Sequence, residues 1–73
     1  MAQLSISSDI TGTVWKVLVK AGDKVDEDDA LLILESMKME IPVTAPEAAT
    51  VLEVLVTEGQ AVSEGEVVVI LDA

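Results

Sequence analysis

The chain contains no cysteine, histidine, arginine, phenylalanine or tyrosine. Without cysteine it can form neither a disulfide nor a thiolate metal site. Without histidine it also lacks the other usual zinc ligand, so no metal site is expected. The missing histidine removes the most frequent general base as well, and no serine has a plausible base partner. A catalytic role is therefore the weakest interpretation of this sequence.

Basic residues are few: four lysines stand against 14 Asp and Glu in 73 residues, a formal net charge of −10. Nucleic-acid backbones and anionic membranes attract clustered Lys and Arg, so binding to either is not expected. The charge suits a monomeric protein that meets basic surfaces on its partners, or it serves solubility alone. The N-terminal residues MAQLSISSD lack the basic and apolar regions of a signal peptide. No apolar run is long enough for a membrane span, and the cytoplasm is the expected location.

Aliphatic residues are abundant, with 12 Val, 8 Leu, 5 Ile and 8 Ala, whereas Trp15 is the only aromatic residue. A chain of this length allows one small domain, 1–73, which buries only about 60% of its unfolded surface. The many β-branched residues favour strands over helices. No segment shows a helical period, so the sequence predicts an all-β flattened barrel or sandwich.

The sequence contains an internal repeat. Residues 10–35 align with residues 47–72 without a gap, with 10 identities in 26 positions. Gly22 and Gly59 fall at matching turns, where a residue that tolerates positive φ is needed. Two copies are too few for a solenoid, so the repeat predicts a closed domain with pseudo-twofold symmetry.

Each half of the repeat has the pattern of a strand, a turn, an isolated core valine, an acidic or polar bend, and a second strand. The isolated valines are Val25 and Val62. The first long strand mixes apolar and charged residues on one face, which predicts a bend or a bulge. Pro42 indicates an edge strand, because proline cannot donate a hydrogen bond to a neighbouring strand. The predicted strands are 3–6, 12–20, 30–34, 41–44, 50–56 and 67–71.

Lys38 lies between the two repeats, in the run Glu35-Ser36-Met37-Lys38-Met39-Glu40. Between antiparallel strands, residues 36–39 would form a tight hairpin turn with Lys38 exposed at its tip. A shift of Lys38 by 37 residues gives position 1 or position 75, where the chain begins or has already ended. We therefore expect the tip at the end of the domain opposite both termini. Exposed lysines usually only aid solubility, but two methionines beside one at a tip are unusual. They are soft contacts for a partner, or core residues if the turn lies elsewhere.

The run 36–39 resembles the Ala-Met-Lys-Met motif of biotinyl domains, the biotin carboxyl carrier domains of biotin-dependent carboxylases. The segments Gly-Thr-Val-Trp-Lys-Val at 12–17, Gly-Asp-Lys-Val at 22–25 and Gly-Gln-Ala-Val at 59–62 match the family as well. The chain is similar over nearly its whole length to the small stand-alone biotin/lipoyl attachment proteins of bacilli. This resemblance implies two four-stranded antiparallel sheets related by a pseudo-twofold, known as a barrel-sandwich hybrid.

The resemblance also implies a function. Lys38 would be biotinylated by a biotin protein ligase, which would recognise the flanking motif of Glu35, Ser36, Met37, Met39 and Glu40. A biotin carboxylase would then load a carboxyl group with ATP and bicarbonate, and a carboxyltransferase would pass it to an acceptor such as an acyl-CoA. Because the chain starts at a methionine and ends soon after its last predicted strand, these enzymes are expected on separate chains. The carrier itself would perform no chemistry.

Three departures keep other interpretations open. Ser36 stands where the family usually has alanine. This departure favours a lipoyl domain, modified by a lipoyl ligase or transferase, whereas the methionines on both sides of Lys38 favour biotin. Residues 8–11 stand where the family has a proline before the 12–17 motif. No protruding "thumb" is inserted between residues 12–20 and 30–34, so the type of carboxylase stays open. A third interpretation, from another class, is an unmodified interaction module.

The acidic neighbours of Lys38 favour a substrate over a catalyst. A free lysine amine has a pKa of about 10.4 and is mostly protonated at neutral pH, whereas only the neutral amine attacks an acyl-adenylate. An enzyme activates a lysine nucleophile by burial or by nearby positive charge. Lys38 is flanked instead by Glu35 and Glu40. Unless both glutamates simply face solvent, activation must come from the ligase.

Overall fold

A computed structural model describes residues 3–73, which form eight β-strands. No helix that is long and apolar enough to cross a membrane is present in this part of the chain. The strands are β1 (Gln3–Ser7), β2 (Gly12–Val17), β3 (Lys24–Val25), β4 (Ala30–Ser36), β5 (Met39–Thr44), β6 (Ala49–Val54), β7 (Ala61–Val62) and β8 (Val67–Asp72).

The strands form two four-stranded antiparallel sheets, as predicted. The terminal sheet has the order β1-β8-β6-β3 and holds the first and last strands. The hairpin sheet has the order β5-β4-β2-β7. Strand β5, which contains Pro42, lies at a sheet edge, as the proline indicated. The two sheets enclose one buried aliphatic cluster.

The two sheets repeat each other residue by residue. When residue numbers are shifted by 37, every pair of partners in the terminal sheet becomes a pair of partners in the hairpin sheet. Leu4, for example, pairs with Leu71, and Ile41 pairs with Leu34. The predicted pseudo-twofold is therefore present. The symmetry also relates β1 to β5. These two strands have no identical residue at equivalent positions, so the sequence repeat did not include them.

Strand β2 contains the predicted bulge. Its pairing with β4 passes from Val14 to Lys16, which leaves Trp15 as an extra residue. The bulge changes the side that faces inward, so that Val14 and the partly buried Val17 both reach the core. Strand β6 has the same irregularity at Leu52.

The long strand predicted over 12–20 is shorter in the structure, where β2 ends at Val17. The Leu18 amide still donates to the Leu31 carbonyl oxygen at 3.0 Å, but the chain then leaves the hairpin sheet. At Gly22 the amide donates to the Val51 carbonyl oxygen of the terminal sheet, at 2.7 Å. The strand predicted over 50–56 ends at Val54 for the same reason.

The two isolated valines are core residues, as predicted. Val25 is 6% exposed and Val62 is 2% exposed. They are not isolated, however, because each belongs to a two-residue strand, β3 or β7, at a sheet edge. The remaining core consists of aliphatic side chains from every longer strand except β1, together with two loop residues. The full buried set is Val14, Val25, Leu31, Leu32, Leu34, Val43, Ala45, Val51, Val56, Val62, Val68, Val69 and Leu71.

The segment that contains β2 runs from one end of the molecule toward the other. Near the start of β2, Thr13 pairs with Glu35 in the hairpin sheet. The chain then runs to Gly22, which bonds Val51 in the terminal sheet. Residues 13–22 span about 30 Å if extended, which approaches the 36 Å long axis of the molecule.

The Lys38 hairpin consequently lies at the end opposite the described termini. Gln3 and Asp72 pair with each other at the terminal-sheet end, and Ala73 follows directly. This agrees with the placement predicted from the repeat. Met1, which the prediction also concerned, lies outside the described residues.

The symmetry can be tested by paired core substitutions. Val14 is 1% exposed and Val51 is fully buried, at equivalent positions beside the two bulges. We expect Val14→Ala and Val51→Ala each to lower the free energy of unfolding by about 1.5–3 kcal/mol, from lost burial and residual cavity. Urea unfolding followed by circular dichroism measures this. Losses that differ by more than about 2 kcal/mol would contradict equivalent packing of the two halves.

Candidate functional site

Lys38 occupies the tip of the hairpin that joins β4 to β5. Ser36 and Met39 form the last cross-strand pair, which leaves Met37 and Lys38 as a two-residue loop. Met37 has φ 51° and Lys38 has φ 68°. Positive φ at both central residues is the signature of a type I′ turn, the turn whose twist matches a two-residue β-hairpin. The predicted tight turn is present, although its outer residues, 36 and 39, belong to the strands.

The turn is built from residues that do not favour it. A left-handed conformation costs a non-glycine residue about 1–2 kcal/mol, and type I′ turns prefer Asn-Gly. The β4–β5 ladder below the turn holds Met37 and Lys38 in place despite this cost. Strain of this kind, maintained by the surrounding structure, is frequent at functional sites.

Both flanking methionines lie at the surface. Met37 is 92% exposed and Met39 is 62% exposed. The alternative that they are core residues is therefore wrong. Their flexible, polarisable side chains form an adaptable apolar surface around Lys38, which is itself exposed.

Two carboxylates lie at the base of the hairpin. Glu35 and Glu40 are direct cross-strand partners, and both are exposed. Like charges at opposed positions destabilise a sheet by a few tenths of a kcal/mol or more. The pair places two negative charges at the base of the hairpin that carries Lys38, a pattern that a basic surface would complement.

Gly12 allows β2 to lie against this base. A Cβ atom on Gly12 would be 2.8 Å from the Glu35 carbonyl oxygen and 3.4 Å from the Ser36 Cβ. Ser36 is partly buried, so a small side chain there fits the same crowded place. In the sequence Gly12 stands out only as part of the motif at 12–17. The repeat has Ala49 at the equivalent position, which gives no sign that a glycine is required.

The predicted turn glycines have equivalent structural roles. Gly22 has φ 97° and Gly59 has φ 90°, a region that other residues adopt at a cost. The amide of Gly59 donates to the Val14 carbonyl oxygen at 2.7 Å, as the amide of Gly22 does to Val51. These turns tie the chain to β2 and β6 and contribute no reactive group.

The segment 8–11, which replaces the family's proline, leads directly into Gly12 at the hairpin end of the molecule. Ser8 is 1% exposed, its hydroxyl donates to the Ile10 carbonyl oxygen, and its amide donates to the Glu66 carbonyl oxygen at 2.9 Å. These bonds close a turn beside the start of β8. In this chain these hydrogen bonds hold the turn in the place of the family's proline.

The hairpin tip is a projecting feature and not a cleft. A groove of about 390 Å³ lies between the edge strands β1 and β5, and its lining includes Ile6, Pro42 and Val43 but none of residues 35–40. Among residues 3–73, no cluster of three or more potential ligand side chains is placed to hold a metal ion. The chemistry available at the tip is that of one exposed primary amine.

Residues 4–71 match the biotin/lipoyl family, described as "Biotin-requiring enzyme". The chain is 50% identical to the biotin/lipoyl attachment protein of Bacillus subtilis over 42 residues, and this aligned segment covers 58% of each chain. It is 52% identical over 44 residues to a putative urea carboxylase of Emericella nidulans, which is 60% of this chain and 4% of that one. The matched segment thus spans less than two thirds of these relatives.

Solved structures with the same fold include two large carboxylases. A single-chain, multi-domain long-chain acyl-CoA carboxylase superposes with a TM-score of 0.90 at 31% identity, over 96% of this chain and 7% of that chain. The Kluyveromyces lactis urea carboxylase superposes with a TM-score of 0.91 at 31% identity, over 97% of this chain and 6% of that chain.

The strain in the turn gives a stability prediction. We expect Met37→Asn to raise the free energy of unfolding by about 0.5–1 kcal/mol, because asparagine tolerates the left-handed conformation that methionine resists. The same replacement at Met39, in strand β5, is the control and should give no gain, since asparagine is disfavoured in strands. Urea unfolding measures both, and a loss of stability in Met37→Asn would contradict a type I′ turn.

The close approach at Gly12 gives a second prediction. Gly12→Ala should destabilise the protein by about 1–3 kcal/mol, because the new methyl group overlaps the Glu35 carbonyl oxygen and must displace β4. Ala49→Gly makes the inverse change at the equivalent position and should cost only about 0.5–1 kcal/mol. Thermal unfolding of both variants provides the measurement. Wild-type stability in Gly12→Ala would show that β4 is not held against β2 at this point.

Proposed function

The chain belongs to the biotin/lipoyl family of biotin-requiring enzymes, and on this basis we propose that it is a carrier protein whose Lys38 is covalently biotinylated. The observation that carries this proposal is the geometry of the hairpin. A two-residue type I′ turn holds one exposed amine beyond the end of a sheet, between two exposed methionines. Biotin is the cofactor supported by the family and by the named relatives.

Lys38 is a substrate in this proposal, and its activation belongs to the ligase. The other charged residues of the hairpin are Glu35 and Glu40, and the turn is exposed. The hairpin thus provides neither the burial nor the positive charge by which enzymes activate a lysine nucleophile. In the ligase active site the Lys38 amine would give up a proton and attack the acyl-adenylate of the cofactor, so that the amide bond forms as the acyl–phosphate bond breaks and AMP leaves.

The motif residues contribute in different ways to recognition by a biotin protein ligase. Met37 and Met39 offer apolar contact on either side of the lysine. Glu35 and Glu40 offer carboxylates to a basic surface. Ser36 is small enough to let the hairpin lie against β2, and it is a positioning residue that need not touch the ligase.

Once attached, biotin supplies a ring nitrogen that can carry a carboxyl group. The chain holds this arm at the end of the molecule remote from its described termini, so that the arm can visit two active sites in turn. Relatives named as urea carboxylase, pyruvate carboxylase and methylcrotonoyl-CoA carboxylase support a biotin carboxylase and a carboxyltransferase as the enzymes visited. The chain contributes position and reach, and its partners contribute the catalysis.

Lipoate is the second candidate cofactor. Two observations favour it: Ser36 stands where biotinyl motifs usually have alanine, and the relative in Bacillus subtilis is named as an attachment protein for both groups. The exposed hairpin is equally suited to a lipoyl ligase or transferase. The methionines on both sides of Lys38 favour biotin as the principal cofactor.

The proposal is tested by intact mass after expression with excess biotin or excess lipoate. Wild type should gain one biotinyl group, and Lys38→Arg should gain none, because arginine keeps the charge but is not acylated. Lys20→Arg and Lys24→Arg are the controls and should be modified like wild type. A gain of lipoyl alone would replace biotin with the second candidate. A wild-type chain that gains neither group, and so keeps the mass of its unmodified sequence, would favour an unmodified interaction module.

A further inference from the structure

The pseudo-twofold gives each sheet an outer face of the same shape with different side chains. On the hairpin sheet, Lys16, Ile33 and Pro42 form a cross-strand row, with Trp15 beside them in the bulge. We call these four residues the tryptophan face. The equivalent positions on the terminal sheet are Glu53, Ile70, Ser5 and Leu52. The two sheets have the same backbone arrangement, so any difference in what their outer faces bind must come from the side chains.

Trp15 is the most unusual residue of the tryptophan face. It is the only aromatic residue in the chain, yet it is 46% exposed and lies outside the core. The Nζ atom of Lys16 lies 5.9 Å from the centre of the indole ring, within the range of a cation–π contact. Tryptophan is one of the residue types most enriched at binding hot spots.

We propose that the tryptophan face is a docking surface for the biotin protein ligase, with Trp15 as its anchor. This inference rests on the proposed biotinylation of Lys38. The face is continuous with the hairpin, because the row of Ile33 lies five residues before Lys38 along the chain, or about 17 Å at the rise of a strand. A typical interface buries about 800 Å² on each partner, equal to a disc of about 16 Å radius. An interface centred on Lys38 therefore extends to the near edge of the tryptophan face, where Trp15 lies between the rows of Leu34 and Ile33.

The ligase is the partner that needs this contact most. It must bring the lysine amine itself into its active site, so its surface closes against the base of the hairpin. An enzyme that acts later reaches the cofactor at the end of a long arm, and it can do so without touching the sheet. The strained two-residue turn offers little area of its own, which leaves the adjoining face to supply the buried surface.

The charges on the tryptophan face and on the hairpin define the ligase surface that would fit them. Lys16 lies in the row of Ile33, two residues further from the hairpin along β4 than the pair of Glu35 and Glu40. A complementary ligase surface has basic groups opposite the two glutamates, then a carboxylate opposite Lys16, and an apolar slot for the indole ring. The terminal sheet has Glu53 in place of Lys16 and leucine in place of tryptophan, so it does not fit the same surface.

The experiment is steady-state biotinylation of the full chain by a purified biotin protein ligase, with kcat and KM measured separately. We expect Trp15→Ala to lower kcat/KM about tenfold, mainly through KM, because a buried anchor is lost while the amine is unchanged. Leu52→Ala is the matched control at the equivalent bulge and should change kcat/KM less than about twofold. Lys16→Ala should also raise KM, whereas Lys24→Ala removes the same charge at the far end and should not.

Circular dichroism and thermal unfolding establish that each variant is folded. Equal kinetics for Trp15→Ala and Leu52→Ala, with wild type fully modified, would overturn the docking surface and leave the carrier function intact. Normal biotinylation of Trp15→Ala, followed by slow turnover of the biotinylated variant with a biotin carboxylase, would assign the face to that enzyme and also overturn the proposal. A wild-type chain that the ligase does not modify would overturn both proposals together.

Discussion

The structure depends on burying aliphatic side chains from two central strands, β4 and β8, in one core. Each strand contributes two consecutive fully buried residues, Leu31 and Leu32 in β4 and Val68 and Val69 in β8. A regular strand would turn one of each pair outward. The irregular pairing near the start of each strand lets both face inward, and this adds core to a chain that has no disulfide and no buried aromatic residue. Because β4 is fixed in this way, the hairpin that extends from it has a rigid base.

Much of this architecture was predictable because its signals are local. The paired glycines, the alternation of apolar residues and the proline of β5 indicated the strands, the turns and one edge. The mixed face of the first long strand indicated a bulge, and the bulge is at Trp15. The repeat indicated the symmetry. The methionines around Lys38, together with the family motif, indicated the candidate site, and the structure contains the exposed hairpin that this prediction required.

The remainder was not predictable because it depends on tertiary contact. The two-residue strands β3 and β7 have too few residues to show a period, and they exist only where β6 and β2 provide partners. The equivalence of β1 and β5 leaves no sequence identity, since those positions need only a shared pattern of burial. The role of Gly12 follows from the approach of a carbonyl oxygen from β4, and no neighbour in sequence reveals it.

The pairing of Gln3 with Asp72 has a consequence of its own. These two residues are the symmetry counterparts of Glu40 and Glu35, so the end of the molecule that holds them is an unclosed copy of the lysine hairpin. A short linker from residue 72 to residue 3 would complete that copy, and new ends could then be opened elsewhere in the barrel. Such a circular permutant would have a closed turn at each end, and a second Met-Lys pair in the new turn would convert a carrier with one arm into a carrier with two.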